Sequence, residues 1–216
     1  NAILFVAFAL ITQELSRGDW YQPALQASFL LAFVFLAPWV GRFADRRPKS
    51  TVLAVGNLLK GAGTLIMLLG VEPLAAYAVV GVGAAVYGPA KYGILPELVR
   101  HERLVKANGL IEGSTIVAIV FGAVVGARVA DANINMALLL VLGSYLISLL
   151  AALFIPKVAG REKQPGAAVP QFGQMMRGFF TTSRARFSML GAAIFWAAAV
   201  VLRVMMLAWA PAVLFT

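Results

Sequence analysis

The stretch NMALLLVLGSYLISLLAALFI, residues 135–155, carries no charged side chain and is closed by Pro156 and Lys157. A run of about 20 apolar residues is what an α-helix needs to cross a bilayer, and it lacks the alternation over about 10 residues that marks a barrel strand. Comparable runs lie outward from it at roughly 22–41, 51–70, 74–95, 104–127 and 187–210, with a shorter one at 1–14, each bounded by charges, glycine or proline. The whole chain of 216 residues is 61% hydrophobic and 12% charged, with a mean hydropathy of +0.87. Soluble domains run at about 45–50% apolar and 25% charged. Lipid offers no partner for backbone N–H and C=O groups, and a helix satisfies them within one segment. The expected fold class is therefore an all-α membrane protein.

The charges between the runs set the topology. Arg42, Arg46, Arg47, Lys49, Arg100, Arg103, Lys106 and the basic residues from Lys157 to Arg186 fall on one side by alternate connections, against Arg17 and Arg128 on the other. The positive-inside rule makes the first set cytoplasmic and places Glu72 and Asp131 outside. Residues 1–14 are too short to span alone, so the sequence is expected to begin inside its first helix and to be part of a longer protein. The expected organisation is a six-helix N-terminal bundle over 1–155, a cytoplasmic linker over 156–186, and the first helix of a second bundle over 187–216. Within the linker, Phe172, Met175, Met176, Phe179 and Phe180 recur at helical spacing. That stretch reads equally as a short amphipathic helix on the membrane or as an unstructured connection.

Several functions are excluded by residue content. Cysteine is absent and His101 is the single histidine, which leaves no thiolate chemistry, no metal site and no Ser-His-Asp set. Neither a cofactor nor a catalytic residue is expected, and the chain does not read as an enzyme. The net charge of +9 flanks hydrophobic spans and does not gather on one polar segment, so nucleic acid is not an expected partner. Glycines from Gly83 to Gly88 have Walker-like spacing, but Pro89 stands where Lys-Ser/Thr is required.

Polar residues inside the spans point to transport. A charge at the bilayer centre costs about 2.5 to 10 kcal/mol or more, so such residues are kept where they face a cavity or a partner. Arg203 lies near the middle of its span. Lys60 shares a face with Asn57, Gly61 and Thr64, and Glu112 shares one with Asn108 and Thr115. Two polar stripes imply a wetted interior; either stripe also suits plain hydrogen bonding between helices. Lys91 and Lys106 stand near helix ends, where long side chains reach water.

After the second span comes Gly41-Arg42-Phe43-Ala44-Asp45-Arg46-Arg47-Pro48-Lys49. Gly41 there would permit close helix approach, Asp45 at a buried edge would pair with a cation or a helix N-terminus, and the arginines would meet anionic headgroups. This string resembles the signature loop between the second and third helices of the major facilitator superfamily, departing from the usual pattern at Arg47-Pro48. The resemblance makes Gly41, Arg42, Asp45 and Arg46 a conformational-switch loop.

The match narrows in Tyr87-Gly88-Pro89-Ala90-Lys91-Tyr92-Gly93-Ile94-Leu95-Pro96-Glu97 and in Leu104-Val105-Lys106-Ala107-Asn108-Gly109-Leu110-Ile111-Glu112-Gly113-Ser114-Thr115. Together with Leu202-Arg203, Trp209 and Pro211, these strings are similar to the bacterial lysophospholipid transporter family and to related transporter domains fused to an acyltransferase/acyl-carrier-protein synthetase. What the resemblance implies is a flippase of the bacterial inner membrane. It would return lysophospholipids to the inner leaflet for re-acylation, by alternating access between two bundles. It also implies that Arg203, with Lys91 or Lys106, holds the phosphate and that Glu112 meets an ethanolamine, with Asn108 and Lys60 nearby. Membrane lipids and the acyltransferase are the partners implied. Two other readings remain at this point: a proton-coupled carrier of a small solute or drug using Glu112, and a non-transporting anchor for a lipid-modifying enzyme.

Overall fold

The computed structural model describes residues 2–10, 20–156 and 168–214, and beyond Val201 it describes the backbone alone. The described residues form helices α1 (Ala2–Leu10), α2 (Tyr21–Arg46), α3 (Lys49–Leu68), α4 (Pro73–Gly93), α5 (Leu95–Leu98), α6 (Leu104–Ala132), α7 (Ile134–Leu153), α8 (Ala168–Thr181) and α9 (Ser183–Leu214). A 3₁₀ turn, His101–Arg103, leads into α6. The chain divides into two units, Asn1–Pro165 and Gly166–Thr216. Five stretches of the first unit, Pro23–Arg46, Lys49–Leu68, Pro73–Leu98, His101–Ala132 and Ile134–Leu153, are long and apolar enough to cross a membrane.

The turns follow local chemistry. Arg47, ahead of a proline, is driven out of the helical region and sits extended at φ −117°, ψ 153°, which stops α2. Pro48 then takes the position before α3, where a missing N–H costs nothing. The signature string is accordingly helical through Arg46, and only Arg47-Pro48 forms the connection. At the other end of α6, the helix continues past residue 127 and carries Arg128 and Asp131 before Asn133 breaks it. Charge ends a hydrophobic run without ending its hydrogen bonding, so the sequence-based boundary falls short. The Asn133 side chain then accepts the Met136 N–H at 2.9 Å and caps α7.

Two apolar clusters hold the first unit together. One, toward the outer ends by the loop charges, joins Val6, Leu25, Val80, Ala130 and Leu138 from α1, α2, α4, α6 and α7. The other, toward the cytoplasmic ends, joins Ala44, Val52, Val86, Ala90 and Ala152. Near the outer cluster, Tyr21 Oη donates to Glu72 Oε1 and accepts the Leu74 N–H at 3.2 Å, tying the start of α2 to the start of α4. Trp20, 66% exposed beside it, suits the headgroup level.

Close helix approach occurs between α3 and α4. A Cβ on Gly63 would lie 2.7 Å from Ala76 O, and one on Gly83 would lie 2.7 Å from Gly56 O and from Lys60 N. Gly41 does not play that part, since a Cβ there would meet nothing within 4 Å. The spacing of Gly83 is explained by this crossing.

In the second unit, Ala168–Thr181 forms the helix α8. Gln171 to Phe180 lie within it, with the apolar side chains on one arc and Gln174, Arg177 and Thr181 on the other. Helix α9 begins at Ser183, four residues ahead of the 187 boundary read from hydropathy.

Candidate functional site

Helices α3 and α4 face α6 across a cleft of about 480 Å³, walled by Leu53, Tyr87, Ile94, Ile111, Ala118 and Ile119 and carrying Lys91, Ser114 and Thr115. Its polar groups come from Tyr87 and Lys91 on α4 and from the neighbouring Ser114 and Thr115 on α6. Lys91 Nζ donates to Thr115 Oγ1 at 2.7 Å, and Thr115 Oγ1 donates in turn to Ile111 O at 2.6 Å. Tyr92 Oη donates to Glu112 Oε1 at 2.6 Å. Three-residue spacing stacks Glu112 and Thr115 on one side of α6, so neighbouring side chains of α4 reach both.

The arrangement leaves hydrogen-bonding capacity on both charged groups. An ammonium has three donors, and the bond to Thr115 uses one of those on Lys91. The Lys91 Nζ also stands 5.2 Å from the centre of the Tyr92 ring. Glu112, about one helical turn along, keeps Oε2 available after Tyr92 takes Oε1. Two bonds, one from a cation and one to a carboxylate, therefore join the same pair of helices, α4 and α6.

Lys60 is held separately and more deeply. Its Nζ lies 4.0 Å from the Tyr87 ring centre and 5.0 Å from that of Tyr145, an aromatic slot that offsets part of the cost of a charge in the membrane. Along the same face Thr64, fully buried, donates Oγ1 to Lys60 O at 3.0 Å. Asn57 is also buried, and its Oδ1 has no hydrogen-bond partner among the described residues. Tyr87 links this stripe to the cleft, because it walls the cleft one helical turn before Lys91.

At the cytoplasmic end of α2, Asp45 has a cation beside it as expected, but the cation, Lys49, is the buried partner. Asp45 is 61% exposed, whereas Lys49 is buried, with its Nζ donating to Ala44 O at 2.7 Å and lying 3.3 Å from Asp45 Oδ1. The stem of Lys49 passes under the C-terminus of α4, where a Cβ on Gly93 would come within 3.3 Å of Lys49 Cε. A cation there complements the helix dipole. Arg42 and Arg46 lie in the last turns of α2 on the same end.

The structure thus puts Lys91 in the cleft, with Lys60 reaching toward it through Tyr87, while Glu112, held by Tyr92, is not among the residues that line it. Lys106 and Asn108 are exposed near the start of α6 and make none of the cleft's hydrogen bonds. Arg203 belongs to α9, in the second unit, and its side chain lies outside the described residues. Tyr87, Tyr92 and Tyr145 were not singled out by the sequence. The available signal was their spacing: Tyr87 precedes Lys91 by four residues and Tyr92 follows it directly. Among the described residues no group of three or more His, Asp or Glu could hold a metal ion.

Comparison with known proteins agrees with this architecture. The family model described as Major Facilitator Superfamily matches residues 1–216. A lysophospholipid transporter LplT of Yersinia enterocolitica is 45% identical over 215 residues, covering 98% of this chain and 53% of that protein. Those of Yersinia pestis (strain Pestoides F) and Yersinia pseudotuberculosis serotype O:3 are each 44% identical over 218 residues, covering 99% of this chain and 53% of theirs. The chain spans about half the length of the curated relatives it matches. With its helical membrane-spanning fold and a family match from end to end, the chain belongs to the major facilitator superfamily.

Proposed function

We propose that this chain forms part of a lysophospholipid transporter of the bacterial inner membrane, with residues 1–155 as the N-terminal bundle, 156–186 as a cytoplasmic linker and 187–216 opening the second bundle. The observation that carries this reading is Lys91, bonded to Thr115 within an apolar-walled cleft, with Glu112 held by Tyr92 on the same two helices. A lysophospholipid needs that combination: a cation for phosphate, an anion for ethanolamine, and an apolar path for one acyl chain. The names of the relatives, at 44–45% identity, support the same substrate class.

In this reading Lys91 binds the phosphate as a point charge, Glu112 orients the amine, and Arg203 from the second bundle supplies a forked partner for the phosphate. Lys60 keeps the interior positive, and Lys106 and Asn108 meet the headgroup near the cytoplasmic mouth. Asp45, Arg42, Arg46 and Gly41 act on the conformational change without touching substrate. The delivered lysolipid is the substrate of an acyltransferase/acyl-carrier-protein synthetase, which makes that enzyme a functional partner. Competition separates this reading from a small-solute carrier. Lysophosphatidylethanolamine should block labelled lysolipid uptake into proteoliposomes of the full-length protein, whereas a phosphate-free monoacylglycerol should not. Equal block by both would overturn the phosphate site.

A further inference from the structure

The first unit contains a second cavity, of about 390 Å³, between α1, α6 and α7. Its walls include Ile3, Ala118, Gly122, Val129, Leu140 and Val141. Ala118 also lines the polar cleft, so the two spaces meet at one residue of α6. From this continuity we infer that the apolar groove is the acyl-chain subsite of the lysolipid whose headgroup sits at Lys91 and Thr115, an inference that rests on the function proposed above.

Length and chemistry fit one acyl chain. From Ala118 to Val129 α6 rises about 16 Å, at 1.5 Å per residue, against the ~15 Å that one leaflet contributes to a ~30 Å hydrocarbon core. Gly122 and Gly126 both line the groove, so α6 presents no side chain to it at two positions one turn apart. Hydrophobic burial gives no preference for the groove, since the bilayer is equally apolar, so the groove selects through shape and length. Its direction carries a further consequence. The loop charges put the start of α6 on the cytoplasmic side and Asp131 outside, so a tail running from Thr115 to Val129 extends through the outer half of the membrane.

The test is transport of lysophosphatidylethanolamines with twelve- and eighteen-carbon chains by the full-length protein in proteoliposomes. Val129→Phe, at the far end of the groove, should lower eighteen-carbon transport about tenfold relative to twelve-carbon transport, as expected for a blocked apolar pocket. Leu140→Trp, on the facing helix, should impose the same chain-length bias and serves if Val129→Phe folds poorly. An eighteen-carbon lysolipid with a diazirine at the chain terminus should crosslink to α6 near Val129 and to α7 near Val141. Equal loss of both chain lengths in variants of unchanged thermal stability would overturn the groove. Crosslinks that unlabelled lysolipid displaces but that map to other helices would do the same while leaving the lysolipid reading intact. Absence of lysolipid transport by the unsubstituted protein at either length would instead overturn that reading itself.

Discussion

Tyr87 is shared between two sites: its ring centre lies 4.0 Å from Lys60 Nζ, and the same side chain walls the cleft in which Lys91 bonds Thr115. Because the ring and not the hydroxyl holds the ammonium, Tyr87→Phe should leave thermal stability unchanged, and Tyr87→Leu should cost about 1–2 kcal/mol. Lys60→Met should be neutral or stabilising, since it removes a membrane-buried charge, yet it should slow transport. Thermal unfolding in detergent, paired with uptake on the same preparations, checks all three. A large loss of stability in Lys60→Met would make Lys60 a structural anchor.

The bond from Lys91 to Thr115 fixes one proton of the ammonium and aims the rest into the cleft. Thr115→Val should reduce apparent lysolipid affinity by up to about tenfold while costing only about 0.5–1.5 kcal/mol of stability, the net worth of one hydrogen bond. Lys91→Ala should lose more affinity than Thr115→Val. Binding isotherms for headgroup-labelled lysolipid provide the measurement, and equal affinity in all three proteins would remove Lys91 from the site.

At the cytoplasmic end, Asp45 is the exposed partner and Lys49 the buried one. Asp45→Asn should therefore fold normally, retain lysolipid binding and impair turnover. Lys49→Ala should destabilise the protein more than Asp45→Asn does, because it empties the space under Gly93 and frees the Ala44 carbonyl. The reverse order of stabilities would contradict the burial found here.

The loop charges place the Arg100 end of the bundle in the cytoplasm and the α3–α4 turn outside. Cysteine is absent from this sequence, so single replacements can be labelled cleanly. A cysteine replacing Val71, which is 47% exposed, should react with an impermeant reagent added to intact cells, and one replacing Arg100 should not. Labelling of the Arg100 position from outside would reverse the topology.

What was legible in the sequence was local. Unbroken apolar length marks the five spans, and the pre-proline constraint on Arg47 marks the break after α2. Three-residue spacing puts Glu112 and Thr115 on one side of α6. That spacing does not say which helix they face, because their partners Tyr92 and Lys91 stand 20 and 24 residues away in the chain. Of the reading of Asp45 as a buried-edge carboxylate paired with a cation or a helix N-terminus, the cation is present and the burial is not. In the fold the long stem of Lys49 can reach inward past Gly93, and it takes the buried place. Close approach was assigned to Gly41 from its motif. It occurs instead at Gly56, Gly63 and Gly83, where α3 and α4 cross and only glycine admits the opposing backbone.

Arg203 tests the proposed phosphate contact. A guanidinium offers a fork that lysine's point charge does not match, so Arg203→Ala should transport poorly and Arg203→Lys only partly better, both at normal thermal stability. Parallel loss of stability, about 3–5 kcal/mol as when a buried partner is removed, would mark Arg203 as a structural lock.

The central claim is that the cleft at Lys91 carries lysophospholipid across the membrane. Its most direct measurement is translocation of headgroup-labelled lysophosphatidylethanolamine by the full-length protein in proteoliposomes, with Lys91→Ala run beside it. The account predicts protein-dependent movement of the headgroup from one leaflet to the other, reduced at least about tenfold in a stably folded Lys91→Ala variant, the loss expected when a charged contact is removed. Headgroup movement at the rate of protein-free vesicles, or an unchanged rate in Lys91→Ala, would contradict it.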